Sequence, residues 1–251
     1  MGCCFSGSVQ AVGDLPNGVV LIQRSSGEAQ ALGELLTRAF AGSADTAPEL
    51  GFDWCFGPEF EDRSNPMRTK KLGWIFRYVV EEAFASGPKG AVLACRKPDG
   101  SIGAVAVLKI FRGSPKVGLC EQMAARCNTG MPNGDAEKYL GCPRFKAMLA
   151  ALKKLHTTYA SGSHLYVWAV AVEPSAQGQG FGGKLMRAAS AVADREKLPC
   201  YLECCGEKNP AIYGKYGYKV VGEEKVRAKG AKGSEEEEFK HPYLGMVRPR
   251  S

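Results

Sequence analysis

The feature that most restricts the fold of this chain is an apolar segment that is followed by a cluster of glycines. Residues 165–172 read Leu-Tyr-Val-Trp-Ala-Val-Ala-Val and are apolar at both odd and even positions. Strands with this pattern are buried on both faces, so the segment is expected at the centre of a sheet. Four glycines lie within residues 178–183, and a helical segment follows them to about Lys197. The sequence therefore predicts a central strand, a glycine-rich turn and a helix in direct succession.

The glycine-rich turn is predicted to bind an anion. Glycine lets the backbone approach a ligand closely, and the first N–H groups of the following helix lie at the positive end of the helix dipole. A phosphate or pyrophosphate group fits such a turn. A merely tight connection between a strand and a helix is the structural alternative.

One candidate ligand for this turn is a dinucleotide. Gly178, Gly180 and Gly183 satisfy the dinucleotide fingerprint, and Glu203 follows about 20 residues later at the end of the next strand. However, residues 173–177 separate the strand from the turn, whereas a dinucleotide turn begins almost directly at the strand end. Too little chain remains after residue 178 for the usual parallel sheet. An NAD(P)-binding protein is therefore retained only as the third function hypothesis.

Apolar periodicity and turn signals divide the rest of the chain into strands and helices. A hairpin of residues 91–95 and 102–111 around Asp99-Gly100 requires at least one antiparallel pair. The stretches 41–64 and 113–142 have little periodicity and are predicted to be loops, the second of them a loop or lid. The remaining predicted strands are residues 19–23, 199–205, 218–226 and 243–247. Helices are predicted to begin at residue 26, before residue 72, after residue 143 and at residue 209. Residues 228–240 are predicted to form a solvated hairpin loop.

Two motifs resemble those of the GNAT superfamily of N-acetyltransferases. The first is a strand that ends in Val172-Glu173-Pro174 and is followed by Gln177-Gly178-Gln179-Gly180-Phe181-Gly182. The second begins at Asn209 and continues through a short helix into Tyr213-Gly214-Lys215-Tyr216-Gly217-Tyr218, where Tyr218 replaces the family's usual Phe. Within the superfamily, residues 172–221 look most like the puromycin N-acetyltransferase branch, through the Leu202-Glu203 strand and the spacing of Asn209 and Tyr213.

The resemblance covers roughly residues 18–248 and implies an α/β (α+β) fold in one domain, 18–251. Its sheet would be mixed, mostly antiparallel and twisted, with flanking helices. Acetyl-CoA is implied as co-substrate, with its pyrophosphate on the backbone of residues 178–183 and its pantetheine arm on the edge of strand 170–172. The implied donor-binding residues are Val170, Ala171, Val172, Gln177, Gly178, Gln179, Gly180, Phe181, Gly182, Gly183, Lys184 and Asn209, with Arg187 as a further cation near the phosphates.

Acetyl transfer to a primary amine needs one group that accepts a proton and one that returns a proton to the thiolate. The resemblance implies Tyr213 as the general acid. Glu203 lies in a strand of otherwise apolar and thiol residues, where a carboxylate is costly unless it is paired or functional. It is the candidate base or amine-binding group, with a structural ion pair as the alternative. A covalent route through Cys204 or Cys205 is a further alternative to direct attack in a ternary complex.

Other residues near the expected site are assigned less specific roles. Glu173 is a further carboxylate at the end of the donor strand, whereas His164 and Tyr166 are expected to be structural. The acceptor pocket is expected from the irregular stretches 41–64 and 113–142, so the sequence does not identify the amine.

Composition excludes several other classes of function. The 251 residues carry a net charge of +7, and the basic residues are scattered, so no nucleic-acid-binding surface is predicted. The ten cysteines include no Cys-x-x-Cys pair and show no regular spacing, and the N-terminus has no apolar signal core. We therefore expect free thiols in a reducing, cytoplasmic compartment and no metal site.

The N-terminal tail, residues 1–17, has features of a lipid anchor. Met1-Gly2 followed by Ser6 fits the N-myristoylation pattern, and Cys3 and Cys4 are placed for palmitoylation. One acyl chain holds a protein on a membrane only marginally, so a second chain would be needed. The sequence thus predicts a cytoplasmic enzyme, which N-terminal lipidation would hold on the cytoplasmic face of a membrane. A non-catalytic CoA-binding or sensor protein tethered to a membrane is the alternative function.

Overall fold

The computed structural model describes residues 15–25, 27–42, 50–56, 67–130, 142–229 and 236–251. A seven-stranded sheet in the order β1-β2-β3-β4-β5-β9-β6 runs through it, and β7 and β8 form a separate hairpin. The strands are β1 Val19–Leu21, β2 Gly90–Arg96, β3 Ile102–Phe111, β4 His164–Val172, β5 Cys200–Cys205, β6 Lys219–Glu224, β7 Arg227–Lys229, β8 Glu236–Glu238 and β9 Tyr243–Arg248. The helices are α1 Glu28–Ala41, α2 Leu50–Phe56, α3 Met67–Ala85, α4 Leu119–Thr129, α5 Pro143–Tyr159, α6 Phe181–Arg195 and α7 Lys208–Gly214.

Helices cover both faces of this sheet. On one face, α1, α3 and α5 pack against a core that includes Leu36, Phe76 and Met148. On the other face, α6 packs Leu185 and Val192 against the opposite sides of the same strands. The fold is therefore the mixed, mostly antiparallel sheet with flanking helices that the sequence predicts, and β4 lies at its centre as expected.

The central strands β4 and β5 are parallel but pair over only two positions. Leu165 lies opposite Cys200 and Tyr166 opposite Tyr201, and the two strands diverge beyond these pairs. All other strand pairs in the described residues are antiparallel. A sheet with this topology lacks the successive parallel strands of a dinucleotide-binding fold.

A β-bulge in β4 lies at the point of divergence. Val107 of β3 pairs with Ala169 and Leu108 pairs with Val167, so Trp168 has no partner on β3. An extra residue of this kind shifts the side-chain alternation of its strand. As a result, Val167 belongs to the core on the α6 side, whereas Trp168 and Ala169 both pack on the side of α1 and α5.

Three segments differ from the prediction. A helix, α4, occupies residues 119–129 within the predicted loop or lid, and α2 occupies residues 50–56 within the other predicted loop. Helix α4 buries only Ala125 and Thr129, so it has no strong apolar periodicity, and its flanking glycines suggested a loop. The predicted solvated loop at 228–240 contains the β7–β8 hairpin, which packs Ala228 and Phe239 into the protein.

The N-terminal residues 1–14, including Gly2, Cys3 and Cys4, lie outside the described residues. None of the described helices combines the length and apolar character that crossing a bilayer requires. The cysteines of the described segments are free thiols, and those in the strands, such as Cys95 and Cys200, are buried as expected of small apolar side chains.

Candidate active site

The divergence of β4 and β5 opens a cleft of about 680 Å³ in the middle of the sheet. One wall is the β4 segment that contains Val170, Ala171 and Val172, which pairs with β3 on its other side. Because β5 has moved away, the backbone of this β4 segment presents an unpaired edge to the cleft. A ligand with peptide-like amides can add to such an edge.

The glycine-rich turn forms the end of the cleft at the start of α6. Gly178 and Gly180 have φ of 80° and 81°, a left-handed conformation that favours glycine. Gly180 is also the N-cap of α6, and the first backbone hydrogen bond of the helix runs from the N–H of Lys184 to its carbonyl. The preceding N–H groups of the first turn have no acceptor within the helix, so they are available to an anion at the cleft.

The second motif faces this cleft from β5 and α7. Asn209 donates from its side-chain amide to the carbonyl of Cys205 at 2.7 Å, which ties the start of α7 to the end of β5. Tyr213, one turn later on α7, lines the cleft and makes an edge-to-face contact with Tyr218. The two sequence motifs therefore converge on one cleft.

The structure brings most of the predicted donor-site residues to this cleft, but Gln179, Lys184 and the exposed Arg187 are not among the residues that line it. Gln179 is exposed, and its side chain contacts the carbonyl of Ser175 at 3.4 Å. The Nζ of Lys184 lies over the ring of Phe181, on the side of α6 that faces Gly18 and Cys95. The predicted site residues that line the cleft are Val170, Ala171, Val172, Gln177, Gly178, Gly180, Phe181, Gly182, Gly183, Glu203, Asn209 and Tyr213.

Glu203 is the titratable group at the centre of the site. The hydroxyl of Tyr166 donates to its Oε2 at 2.7 Å, and Nδ1 of His156 lies 3.9 Å from its Oε1. Burial raises the pKa of Glu203 to about 7, against the opposing effect of the Tyr166 hydroxyl. A carboxyl group with this pKa can accept and release a proton near neutral pH.

A second pocket, of about 210 Å³, opens on the other side of Glu203. Glu203 and Trp168 line both this pocket and the cleft, so the two spaces meet at these side chains. Phe111, Tyr166 and Trp168 supply aromatic walls. The other lining residues are Glu82, Lys109, Pro115, Val117, Leu149, Leu152, Lys153, His156 and Thr157.

Helix α4 is tied to this pocket by buried charges. Nζ of Lys109 lies 2.9 Å from a carboxylate oxygen of Glu82 and 2.9 Å from one of Glu121, which is on α4. The side chains of Lys109 and Glu82 are almost completely buried. Such a buried charge is costly unless it is paired, so removal of one partner would destabilise the pocket wall.

The remaining candidate groups are held in other interactions. Glu173 forms an ion pair with Arg38 at 2.7 Å and is not among the residues that line the cleft. Cys204 and Cys205 line the cleft but are buried, and the Cys204 thiol contacts the sulfur of Met246 at 3.6 Å. In the described residues, no group of three or more His, Cys, Asp or Glu side chains is placed to hold a metal ion.

Residues 141–220 match the family model described as an acetyltransferase (GNAT) domain. The match includes β4, the glycine-rich turn, β5 and α7, which together form the cleft. Over this segment the chain matches a GNAT acetyltransferase domain. This match confirms the family that the two motifs predicted and, with it, the enzyme class, an acyl-CoA-dependent N-acetyltransferase. Members of this family generally use acetyl-CoA as the acetyl donor.

Solved structures of similar fold extend the comparison beyond the matched segment. A structure described as histone acetyltransferase HPA2 and related acetyltransferase, from Corynebacterium glutamicum, is 18% identical with a TM-score of 0.54, over 93% of this chain and 97% of that one. The C-terminal condensation domain of Ebony in complex with beta-alanyl-dopamine is 12% identical with a TM-score of 0.55, over 91% and 97%. At these low sequence identities, the two comparisons show that this chain has the same fold as both structures. Among curated proteins, none matches this sequence.

Sequence reasoning missed most of the second pocket. Of the stretches expected to form the acceptor site, only Pro115 and Val117 contribute to its walls in the described residues. Tyr166, expected to be structural, contacts Glu203 directly. The sequence signal for this pocket is the alternation of side chains along β4, which places Tyr166 and Trp168 on one side of the strand. This alternation does not indicate that α5 packs against them.

Proposed function

We propose that this GNAT domain transfers the acetyl group of acetyl-CoA to a primary amine by direct attack in a ternary complex. The observation that carries this proposal is the position of Glu203, which lines both the donor cleft and the separate aromatic pocket. Two substrates that enter from opposite sides would meet at this one carboxyl group. Close placement of both reactants removes much of the entropic barrier to a bimolecular step.

In this proposal the donor lies along β4. The pyrophosphate binds the first turn of α6 at Gly180 and Gly182, and the pantetheine amides pair with the exposed edge of Val170 to Val172. The acetyl group then lies near Trp168 and Glu203, where the cleft meets the aromatic pocket.

The amine enters through the aromatic pocket and loses a proton to Glu203. Free alkylamines have pKa values near 10, so a base is needed at neutral pH. The neutral nitrogen attacks the thioester carbonyl, and the C–S bond breaks as the amide forms. The Tyr213 phenol donates its proton to the departing thiolate and regains one from the attacking nitrogen through solvent. The buried thiols of Cys204 and Cys205 are not needed for this route.

The alternative is a CoA-binding or sensor protein without turnover. The shared carboxyl group argues against it, because binding the donor alone does not require a base at the junction of two pockets. The proposed relation to the puromycin N-acetyltransferase branch rests on Leu202-Glu203 and on the spacing of Asn209 and Tyr213, and it does not define the amine.

The decisive experiment measures turnover and donor choice together. The purified protein is incubated with acetyl-CoA and a panel of primary amines, including amines with aromatic bodies, and acetylated products are detected by mass spectrometry. Thermal-shift titrations with acetyl-CoA, NAD and NADP run in parallel. We expect stabilisation by acetyl-CoA alone and acetylation of at least one amine. Stabilisation by acetyl-CoA without any product would favour the sensor, whereas stabilisation only by NAD would contradict the proposal.

Tyr213→Phe tests the general acid. We expect turnover to fall by about 100-fold while acetyl-CoA affinity is unchanged, because the lost hydroxyl acts on the leaving thiolate and not on the bound donor. Tyr218→Phe is the matched control, since Tyr218 lies beside Tyr213 but does not line the cleft. Equal turnover in Tyr213→Phe and wild type across the pH range would remove Tyr213 from the mechanism.

We also propose that the N-terminal tail anchors the enzyme to a cytoplasmic membrane face through Gly2 and Cys3 or Cys4. Each buried acyl methylene contributes about 0.8 kcal/mol, so two chains hold the protein firmly and one does not. Gly2→Ala should release the protein to the cytosol, and the double change at Cys3 and Cys4 should leave weak association. Fractionation and mass spectrometry of the native N-terminus test this. An unmodified, wholly soluble wild-type protein would contradict the anchor without affecting the acetyltransferase assignment.

A further inference from the structure

Behind Glu203, two buried histidines form a continuous hydrogen-bonded line toward the opposite end of the sheet. Nε2 of His156 and Nε2 of His164 are 2.8 Å apart, and Nδ1 of His164 is 2.7 Å from the carbonyl oxygen of Gly162. His156 is 9% exposed and His164 is 2% exposed. The mechanism above uses neither ring, although His156 lies against the proposed base.

The hydrogen bonds fix the tautomer of each ring. The Gly162 carbonyl only accepts, so Nδ1 of His164 carries a proton and its Nε2 is unprotonated. Nε2 of His156 must therefore donate to His164, which leaves Nδ1 of His156 unprotonated. Both rings are neutral, because burial lowers the pKa of each. Burial, with the repulsion that a second charge beside His164 would meet, lowers the pKa of His156 to about 3.

The unprotonated nitrogen of His156 is directed to the proposed base. It lies 3.9 Å from Oε1 of Glu203, and this oxygen is buried with no hydrogen-bond partner in the described residues. The other oxygen, Oε2, accepts from Tyr166. The Tyr201 hydroxyl also faces this carboxyl group, but a phenol is a much weaker proton acceptor than an imidazole nitrogen. Nδ1 of His156 is therefore the acceptor for a proton on Oε1.

The far end of the line reaches the surface. His164 borders a cavity of about 130 Å³ that is separate from the cleft and the aromatic pocket. The cavity is bordered by the exposed residues Ser161, Gly162 and Ser163 and by Pro199. The line of groups thus runs from the junction of the two substrate spaces to the wall of a cavity beside exposed residues.

We propose that His156 and His164 form a proton path that carries the amine's proton from Glu203 to solvent at the Gly162 cavity. This inference rests on the proposed function, because it needs Glu203 to act as the base. The path lets Glu203 release the amine's proton while acetyl-CoA and the amine occupy the two substrate spaces.

Each transfer along the path balances. The ammonium group of the amine gives one proton to Glu203, and the carboxyl group passes it to Nδ1 of His156. At the same time Nε2 of His156 passes its proton to Nε2 of His164, and Nδ1 of His164 releases its proton to solvent. Each ring gains and loses one proton and ends neutral in the other tautomer. After the products leave, the reverse shift returns both rings to their starting tautomers, and Glu203 gives the returning proton to water in the open cleft.

The groups around Glu203 come from five elements and set the pH range in which it accepts a proton. Lys109 and Glu82 face the same pocket as a pair of opposite charges, so they nearly cancel. The groups that face Glu203 and the path are Tyr166 and His164 on β4, Tyr201 on β5, His156 and Lys153 on α5, Lys109 on β3 and Glu82 on α3. Of these, only the two histidines form a line that leaves the pocket.

The key variant is His156→Gln. A glutamine amide can donate to His164 and present its carbonyl to Glu203, but it does not pass a proton from one atom to the other. We expect kcat at pH 7 in dilute buffer to fall by about 10- to 100-fold, with the KM for acetyl-CoA within about twofold of wild type. Added imidazole or other small buffers should restore kcat in the variant, in the order of buffer basicity, and should not affect wild type.

Two further variants separate transport from packing. The double change His156→Phe with His164→Phe keeps aromatic rings in the stack with Tyr201 and leaves no unpaired histidine nitrogen, so it should fold and show the same loss. His241→Phe is the control, because His241 packs on Phe239 away from the site. Wild-type kcat in His156→Gln, or a loss that buffers do not restore, would overturn the proton path while the acetyltransferase assignment stands.

A measurement on the resting protein needs no substrate. Nitrogen-15 NMR of the histidine rings should show His164 protonated at Nδ1 and His156 at Nε2 between pH 5 and pH 8. Any other pair of tautomers, or a charged ring in this range, would overturn the path whether or not the enzyme acetylates the amines tested. Absence of any acetyl transfer by wild type, in contrast, would remove the proposed function and the path with it.

Discussion

Replacement of Glu203 by glutamine is expected to lower turnover by about 1,000-fold. The variant keeps the shape of the side chain and an oxygen that can accept from Tyr166, but it loses the proton acceptor at the junction of the two pockets. In wild type, only ionised Glu203 accepts the proton. Because burial raises its pKa to about 7, turnover should rise as the pH increases through 7. Steady-state rates over pH 5 to 9 measure both effects.

The same change should alter the pH dependence of stability in a defined direction. The folded state holds the Glu203 proton more tightly than the unfolded chain, whose glutamate pKa is near 4.5. The contribution of Glu203 to the free energy of unfolding therefore has its full value below about pH 4.5 and falls by about 3 kcal/mol as the pH rises through 7. Glu203→Gln lacks this decrease. The difference in free energy of unfolding between the variant and wild type should therefore shift in favour of the variant between pH 5 and pH 8. Denaturant unfolding at pH 5 and pH 8 tests this.

Glu173→Gln is the matched control for the base. Glu173 lies at the end of β4 but is paired with Arg38 outside the cleft. We expect its loss to leave turnover within a few-fold of wild type, since exposed ion pairs contribute little. Loss of turnover in Glu173→Gln, with retention in Glu203→Gln, would transfer the role of base to Glu173.

The donor side of the site could be predicted from the sequence because it is built from contiguous segments and backbone groups. Val172 to Gly183 and Asn209 to Tyr213 each form a local motif, and the left-handed φ of Gly178 and Gly180 explains why glycine is used there. Side chains of the same stretch were less predictable. Lys184 follows the turn directly, yet the helix directs its ammonium group away from the cleft and over Phe181.

The acceptor side could not be predicted, because its residues come from distant parts of the chain. Lys109 lies in an apolar strand and is tolerated there only because Glu82 and Glu121 pair with it from two helices. The bulge at Trp168 changes which face of β4 its side chains occupy, and an uninterrupted apolar strand gives no sign of a bulge. Nothing in the local sequence places His156 beside Glu203.

The β7–β8 hairpin shows the same limit. Charge and glycine content between residues 228 and 240 are typical of a solvated loop. In the structure Glu237 pairs with Arg144 of α5, and Phe239 packs against Trp54 of α2. These contacts join the hairpin to two helices that the local composition does not indicate.

Replacement of Gly182 by glutamate is expected to abolish donor binding, with a loss of at least about 100-fold in acetyl-CoA affinity. Gly182 lines the cleft in the first turn of α6, where the pyrophosphate is proposed to bind. A carboxylate there would occupy the phosphate position and repel its charge. Isothermal titration with acetyl-CoA measures the loss.

Folding should survive this change, which makes the result interpretable. A Cβ at Gly182 would meet only Cγ2 of Val172 at 3.5 Å, an ordinary contact, and the residue does not have a left-handed φ. An acidic side chain in the first turn also favours the helix dipole. Gly182→Gln is the control of equal size without the charge, and it should lose less affinity than Gly182→Glu. A native circular dichroism spectrum with wild-type acetyl-CoA affinity in Gly182→Glu would show that the pyrophosphate binds elsewhere.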